Sequence, residues 1–433
     1  MLELVDLRET STSDLRRGLP RPKVADAMPI DAVRAIIEEV RLGGDEALRS
    51  LTKRFDRVDL DEVVIAQGEL EAAYHRIDPT LREALEAAHM TVRAFHRAER
   101  ESLSSMERFV RNGMSISTAL VPVDRAGCYV PGGLARYPSS VIMTAGIARE
   151  AGVNEVVVCV PPSPLGAVDD ATLAAAFICS VDQVVPVGGA QAIAAMAYGT
   201  ESIAPVDVIS GPGNIYVSVA KREVANVVGV PSAFAGPSEV VVVADHSVDP
   251  ALAAVDVAVQ AEHGPDGLSW LITWDESYIP RVREALESII EESPRRDQIA
   301  STLQGGGFVA LVRDRAHAIE VANFIAPEHL ELLYDGASED LSLVRSAGAV
   351  FVGRNGTAAF GDYVAGPSHV LPTFGTARFS SALGVSDFLK RIHMVEVSDD
   401  APEAIGWAVE ALAKTEGLAA HGKSVAMRRR QAR

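Results

Sequence analysis

The sequence predicts an α/β protein: two doubly wound α/β/α units with small N- and C-terminal extensions. Three observations predict it. From Ala126 onward, short β-branched runs alternate with Ala-rich helical stretches, the pattern of fully buried parallel strands joined by helical crossovers. That texture occurs twice, over 126–237 and again over 240–353. The chain has 433 residues, 48% of them hydrophobic, which is enough to bury more than one core and too apolar for disorder.

The elements follow in order. The first 125 residues read mainly as helix. Asp31, Ala32 and Val33 open an amphipathic stretch with Ile36, Ile37, Val40 and Leu42 at three-to-four spacing, ended by Gly43-Gly44. Asp78 caps and Pro79 begins a longer helix through Leu81, Leu85, Ala88, Val92 and Phe95 toward Glu101. In the first α/β unit, strands at 155–160, 183–187 and 206–210 alternate with helices at 171–178, 190–198 and 215–227. In the second, strands at 240–244, 270–273, 307–312 and 349–353 alternate with helices at 250–262, 280–293 and 316–325. Beyond Asp387 a strand at 394–397 and a helix at 402–414 lead to a basic tail, Arg428 to Arg430 and Arg433. A segment this short cannot enclose a core, so it is expected to pack on another unit or another subunit.

Charge and composition exclude several function classes. Lys+Arg number 40 against Asp+Glu 59, a net charge of -19, which repels phosphate backbones and anionic lipid. Neither nucleic acid nor membrane is therefore expected as a partner. The longest β-branched runs, Val156 to Val160 and Val240 to Val243, fall far short of the roughly 20 apolar residues of a membrane helix. The first eight residues are acidic and carry no apolar h-region, so no secretory signal is expected. Cys128, Cys159 and Cys179 are odd in number and sit in apolar contexts, which suits core thiols in a reducing cytoplasm better than disulfides or nucleophiles.

Six of the ten histidines (His75, His89, His96, His246, His317 and His393) have no ligand-like neighbours. The other four sit in polar clusters. Gln260 and His263 share a helix face just before Gly264-Pro265, and could offer an amide oxygen and an imidazole to a divalent ion, or simply end a helix. Asp362, with His369 beyond Gly366-Pro367-Ser368, lies in a Gly-rich loop after a strand, expected at the ligand crevice beyond the strands' carboxyl ends; the alternative is a plain turn. Glu328 and His329 are adjacent and do not share a helix face, so they suit two separate proton-transfer steps, or else an exposed Glu beside a capping His. Glu416 and His421 stand in the small C-terminal segment, where they matter only if the tail reaches a site on a partner subunit.

Glycine-rich loops follow three strands: Tyr129-Val130-Pro131-Gly132-Gly133, Val187-Gly188-Gly189-Ala190-Gln191 and Ser210-Gly211-Pro212-Gly213-Asn214. The second opens a helix and suits an anion or nucleotide at a helix N-terminus. None is G-x-G-x-x-G, since Tyr216 stands where the third glycine after Gly211 and Gly213 belongs; a P-loop is absent too.

Together these segments resemble the histidinol dehydrogenase family. The matching stretches, in the family's order, are Tyr129 to Gly133, Gly188-Gly189-Ala190-Gln191-Ala192-Ile193, Gly211-Pro212-Gly213-Asn214, Ala235-Gly236-Pro237-Ser238-Glu239, Gln260-Ala261-Glu262-His263, Pro327-Glu328-His329-Leu330, Gly361-Asp362-Tyr363 and His369-Val370-Leu371-Pro372-Thr373, with Glu416 and His421 completing the set. The chain departs from the family pattern at Gly146-Ile147, at Pro231-Ser232-Ala233, and at Ser368, where Asn usually precedes the histidine.

The resemblance implies two incomplete Rossmann-like domains: 126–236 for NAD, and 28–125 with 237–381 for zinc and substrate, flanked by an extension over 1–27 and a tail over 382–433 that reaches the partner of a homodimer. It implies one zinc ion held by Gln260, His263, Asp362 and, from the partner subunit, His421. It implies substrate contacts from Ser238, His369 and Glu416 and from the zinc ligands, and NAD against Tyr129, Gln191 and Asn214. His329 is implied as the base toward the alcohol of L-histidinol, and Glu328 as activator of the water that hydrates the aldehyde. A paralogue oxidising another small polar alcohol is the nearest alternative, and a zinc hydrolase or a silent binding protein more distant ones; Glu416, suited to a substrate ammonium, favours an amino alcohol.

Overall fold

The computed structural model describes residues 2–20, 28–103, 108–132, 136–164, 166–231, 238–264 and 267–431. The motif residues Gly133, Ala235, Gly236 and Pro237, and the departures at Ser232 and Ala233, lie outside them.

Along the chain come β1 (Glu3–Asp6), α1 (Thr12–Gly18), α2 (Ile30–Phe55), α3 (Gln67–Arg76), α4 (Pro79–Ser102), β2 (Phe109–Arg111), β3 (Met114–Pro122) and β4 (Arg125–Tyr129). Next are α5 (Pro138–Val141), which runs through a π-helical turn (Ile142–Gly146) into α6 (Ile147–Ala151), then β5 (Glu155–Cys159), α7 (Asp170–Ile178), β6 (Gln183–Val185), α8 (Gly189–Tyr198), β7 (Val208–Ser210) and α9 (Ile215–Val224). The second texture supplies β8 (Glu239–Ala244), α10 (Pro250–Val259), β9 (Leu268–Thr273), α11 (Tyr278–Glu292), α12 (Arg296–Gly306), β10 (Gly307–Leu311), α13 (Arg315–Ile325), β11 (His329–Leu333), β12 (Ala349–Val352) and α14 (Ala358–Tyr363). The chain ends with β13 (Leu389–Val397), α15 (Ala401–Thr415) and α16 (Ala419–Gln431).

Two parallel sheets result, ordered β6-β5-β4-β7 and β1-β10-β9-β8-β11-β12. Period-2 alternation sends successive side chains to opposite faces. Val240 and Val242 enter one core with the helices α10 and α11, while Val241 and Val243 enter another with α13. The smaller sheet does the same, Val156 and Val158 facing one core and Val157 and Cys159 the other.

Helix dominates the first 125 residues, as expected, but β1 pairs in parallel with β10 at the edge of the larger sheet, and β2 and β3 join β13 in a separate antiparallel sheet. The amphipathic helix does not end at Gly43-Gly44. Gly44 takes φ 52, which a side chain would resist, and the helix resumes after this kink because the Glu201 carboxylate accepts a hydrogen bond from Asp45 N–H at 2.7 Å. Leu42, counted in the apolar stripe, is 81% exposed at that kink. Residues 28–103 pack on the four-stranded sheet, in cores one of which Val370 of 237–381 also enters. Val33, Leu48 and Leu51 of α2, Leu70 of α3 and Leu85 and Val92 of α4 pack on the four-stranded sheet, and β1, placed in a separate extension, belongs to the six-stranded one. Apolar periodicity shows that a helix face is buried without showing which sheet buries it.

Candidate active site

Parallel strands and their return helices set the site. In the four-stranded sheet, Tyr129 ends β4, the loop 161–164 follows β5, Gly189 to Gln191 open α8 after β6, and Asn214 follows β7. All line one cavity of about 1390 Å³ at the strands' carboxyl ends. The N-termini of α8 and α9 face it, with the partial positive charge that suits phosphate. Gln191 is buried, Tyr129 accepts a hydrogen bond from Gly189 N–H at 3.1 Å, and the Asn214 side chain caps Tyr216 N–H and Val217 N–H. Burial pushes the Tyr129 hydroxyl up to about 12, so it is neutral. Gly211 holds φ 106 with the Tyr129 carbonyl where a Cβ would stand, which only glycine allows. Expected anion geometry thus exists without the standard glycine fingerprint.

The larger sheet presents its opposite edge. Asp362 was expected beyond a strand's carboxyl end, in a loop; it lies instead on the short helix α14, which runs back along the sheet. The helix starts where Ala358 N–H meets the Glu331 carboxylate at 2.6 Å, in mid-strand, and ends with Asp362 beside His329, the first residue of β11. Helix α10 likewise returns antiparallel to β8, so Gln260 and His263, at its C-terminal end, reach the same amino edge. The candidate side chains of this unit therefore gather at the amino ends of its strands, against the usual rule. The C-termini of α10 and α13 also lie here, and their partial negative charge suits a cation.

Glu328 and His329 were read as lying after a helix, with no strand assigned to them. Helix α13 stops at Ala326, whose left-handed φ of 54 turns the chain, and Pro327 then enters β11 between β8 and β12. Neither the exposed glutamate nor the capping histidine of the bland alternative is found: Glu328 and His329 are 8% and 2% exposed. Glu239, at the start of β8, joins them. Its N–H donates to Glu328 Oε2 at 3.0 Å, and its carbonyl faces His329 Nδ1 at 3.2 Å. Burial drives the Glu328 carboxyl up to about 7, offset in part by the His329 charge. Burial works against the His329 cation, but the Glu328 and Asp362 carboxylates outweigh it and lift the ring to about 9. Phe351 of β12 stacks on the His329 ring at 6.1 Å between centroids.

Around this pair, Gln260 Nε2 donates to Asp362 Oδ2 at 3.3 Å, His329 Nε2 lies 3.4 Å from Asp362 Oδ1, and His369 Nδ1 lies 2.9 Å from the Asp362 carbonyl. Ser238 Oγ meets His263 Nδ1 at 2.9 Å. Burial would raise Asp362, but the hydrogen bond and charge of His329, helped by His369 and His263, hold it below its usual value. Burial lowers the imidazoles of His263 and His369, against the opposing pull of the Asp362 carboxylate. The two units meet at this point: Ser140 Oγ lies 3.3 Å from His369 Nε2, and Ser368 donates to the Met143 carbonyl, in the π-helical turn, at 3.0 Å. The departure at Ser368 is thus part of this seam, whereas Gly146 faces His89 and Cys179 within the four-stranded unit.

The structure does not bring Glu416 and His421 to the site within one chain; both are exposed in the C-terminal helical pair. All three cysteines are buried, and burial pushes the Cys128 thiol up to about 11 and the other two beyond that. Sequence reasoning missed Glu239, Phe351 and Glu331. Glu331, fully buried and paired with Asp256, had a visible signal, a carboxylate inside the apolar run Leu330 to Leu333.

Whether these residues suit a metal can be tested on the donors themselves. Gln260 Oε1 is buried with no hydrogen-bond partner, the His263 ring has its second nitrogen left over, and the Asp362 carboxylate adjoins both residues. An orphaned amide oxygen beside an imidazole and a carboxylate fits a divalent cation. Among the described residues no three His, Cys, Asp or Glu groups gather as a metal cluster.

Comparison with known proteins identifies the family. The profile of the family described as histidinol dehydrogenase matches residues 19–429. The histidinol dehydrogenase of Pseudomonas putida is 47% identical over 94% of this chain and 92% of its own. That of Cupriavidus pinatubonensis is 43% identical over 99% and 98%. The crystal structure of histidinol dehydrogenase from Elizabethkingia anophelis superposes with a TM-score of 0.93 at 31% identity, covering 99% of this chain and 98% of the other. The chain belongs to the histidinol dehydrogenase family of oxidoreductases.

Proposed function

We propose that this chain oxidises L-histidinol to L-histidine through the aldehyde, a four-electron reaction at the end of histidine biosynthesis, with two NAD and one zinc ion per subunit. The observation that carries the proposal is the buried Glu328–His329 pair at the seam between a phosphate-suited cavity and the cation-suited donors Gln260, His263 and Asp362. Bound zinc supplies a positive centre that orients the substrate's imidazole and amine, and bound NAD supplies the hydride acceptor.

Gln260, His263 and Asp362, with His421 of the partner subunit, would hold the metal. Ser238, His369 and Glu416 would contact substrate, and Tyr129, Gln191 and Asn214 the dinucleotide, on the four-stranded unit. His329 donates its Nδ1 proton to the Glu239 carbonyl, so Nε2 is the nitrogen that takes the alcohol proton once the ring, lifted to about 9 by the Glu328 and Asp362 carboxylates, has lost its own. Glu328, lifted to about 7 by burial, draws a proton from water as the water oxygen adds to the aldehyde. The proton held by His329 returns to the aldehyde oxygen as the water adds, and the neutral His329 then takes a proton from the hydrate in the second oxidation. No covalent thiol adduct enters this scheme.

A homodimer with exchanged C-terminal tails supports the ligand count. Ile392, Val395 and Val397 on β13 and Trp407 and Leu412 on α15 are exposed apolar side chains, which a second copy would cover. No helix among the described residues is long and apolar enough to cross a membrane.

The test is the NADH formed per L-histidinol consumed by zinc-loaded protein with excess NAD. Two per substrate is expected. One would stop the reaction at the aldehyde and remove the role of Glu328; none, from folded protein, would overturn the substrate and direct a search among other polar alcohols.

A further inference from the structure

Glu331 is a fully buried carboxyl group in the otherwise apolar part of β11, on the strand face that also carries Leu333 against α10. Its Oε1 accepts a hydrogen bond at 2.6 Å from the N–H of Ala358, the first residue of α14. Its Oε2 is buried with no N–H or O–H donor aimed at it, and the group beside it is the buried Asp256 carboxyl of α10. Two carboxyls in contact away from water do not both ionise, so they hold one proton between them, and that proton is the missing donor. Asp256 also accepts from Thr357 Oγ1 at 2.8 Å, and Thr357 caps α14 through the N–H of Ala359. Both carboxyls therefore grip the start of α14. A leucine would fill the place of Glu331 as Leu330 and Leu332 fill theirs, so packing alone does not account for an acid here.

Each element held by this pair delivers one residue of the candidate site. Glu331 lies two positions after His329, on the same face of β11. Asp256 lies four positions before Gln260, one helical turn back on the same side of α10 and its closing turn. Ala358 lies four positions before Asp362, one turn back along α14. The three site residues then meet, Gln260 Nε2 at 3.3 Å from Asp362 Oδ2 and His329 Nε2 at 3.4 Å from Asp362 Oδ1. Resting on the metal reading above, we propose that Glu331 and Asp256 are positioning residues that lock β11, α10 and α14 together, so that the donors Gln260 and Asp362 converge beside His329. They act through the elements that carry the donors, from one turn behind the site. Thr357 completes the lock by tying Asp256 to the start of α14.

The test is the zinc affinity of the purified full-length protein, read by competition with a chromogenic chelator, together with the visible spectrum of its cobalt(II) form, which reports coordination geometry. Glu331→Leu fills the strand but releases Ala358 N–H and Asp256, and is expected to weaken zinc about 10- to 100-fold and to alter the cobalt bands. Glu331→Gln keeps an acceptor for Ala358 N–H and offers Asp256 an amide donor in place of the shared proton. It is expected to restore zinc affinity to within about threefold of wild type, with the wild-type cobalt spectrum. Thr357→Val, a change of matching shape outside the strand, keeps the test open if Glu331→Leu does not fold, and is expected to weaken zinc several-fold. Wild-type zinc affinity in folded Glu331→Leu, or in Thr357→Val where the former does not fold, overturns the proposal. An equal loss in the Gln and Leu variants also overturns it, because the lock is one of hydrogen bonds that glutamine reproduces. A wild type that binds no zinc overturns the metal reading and this proposal with it. If His263→Ala weakens zinc while the Glu331 and Thr357 variants bind normally, only the role of the buried pair falls.

Discussion

His329 and Glu239 face each other across the amino ends of adjacent parallel strands, with His329 Nδ1 3.2 Å from the Glu239 carbonyl while the Glu239 N–H holds the Glu328 carboxylate at 3.0 Å. One residue of β8, through its N–H and its C=O, thereby fixes the tautomer of the proposed base and the position of the proposed water activator. Backbone groups in a central strand move little, so both side chains are preorganised.

His329→Ala removes the proposed base. The first oxidation is expected to fall about 100- to 10,000-fold while zinc content, measured on the purified protein, stays at the wild-type level. Near-normal turnover of the alcohol would remove the assignment.

Glu328→Gln keeps the acceptor for Glu239 N–H but cannot take a proton. Oxidation of added aldehyde should slow far more than histidinol binding weakens, which stopped-flow and equilibrium titration separate. An equal loss in both would refute the water-activating role.

Tyr129→Phe takes the acceptor from Gly189 N–H at the start of α8. The KM for NAD should rise about tenfold, with kcat and zinc content little changed. A change confined to kcat would place Tyr129 elsewhere in the reaction.

His421→Ala should lower zinc affinity, although His421 is exposed and away from the site within one chain. Mixed dimers with Gln260→Ala are expected to regain activity, because one of their two sites then has every ligand. Failure of the two inactive variants to complement would argue against exchanged tails.

Lys221 on α9 is fully buried, its ammonium donating to the Gly211 carbonyl, and burial lowers it from 10.5 to about 7. The folded pKa lies below the unfolded one. Burying the charged form therefore costs the folded state on the order of 4–5 kcal/mol below pH 7, and the cost fades as pH rises toward 10.5. Urea melts of Lys221→Met should show its stability, relative to wild type, greatest at pH 6 and declining by pH 9. A pH-independent difference would mean that the lysine is not titrating in this range.

Much of this was local and so legible in sequence. The period-2 runs at Val156 to Cys159 and Val240 to Val243, the Asp78-Pro79 helix start and the buried cysteines are all found as expected, because each depends on neighbours a few residues away. Three features escaped for one reason. Strand β11 was hidden because Glu328, His329 and Glu331 break its apolar run, and only two flanking strands make these polar residues strand-compatible. The kinked continuation of α2 depends on Glu201, distant in sequence. Assignment of α2, α3 and α4 to the four-stranded sheet depends on shape matching between surfaces that are equally apolar.

The sequence by itself determined that the chain is an acidic α/β protein with two parallel-sheet units, and which polar residues stand out against their apolar surroundings. Only the tertiary structure decided that the carboxyl edge of one sheet meets the amino edge of the other, putting helix N-termini around the cavity and helix C-termini around Gln260, His263 and Asp362. Periodicity is a property of a few consecutive residues, whereas the meeting of two edges is set by side-chain packing and hydrogen bonds between residues hundreds of positions apart, such as Ser140 with His369.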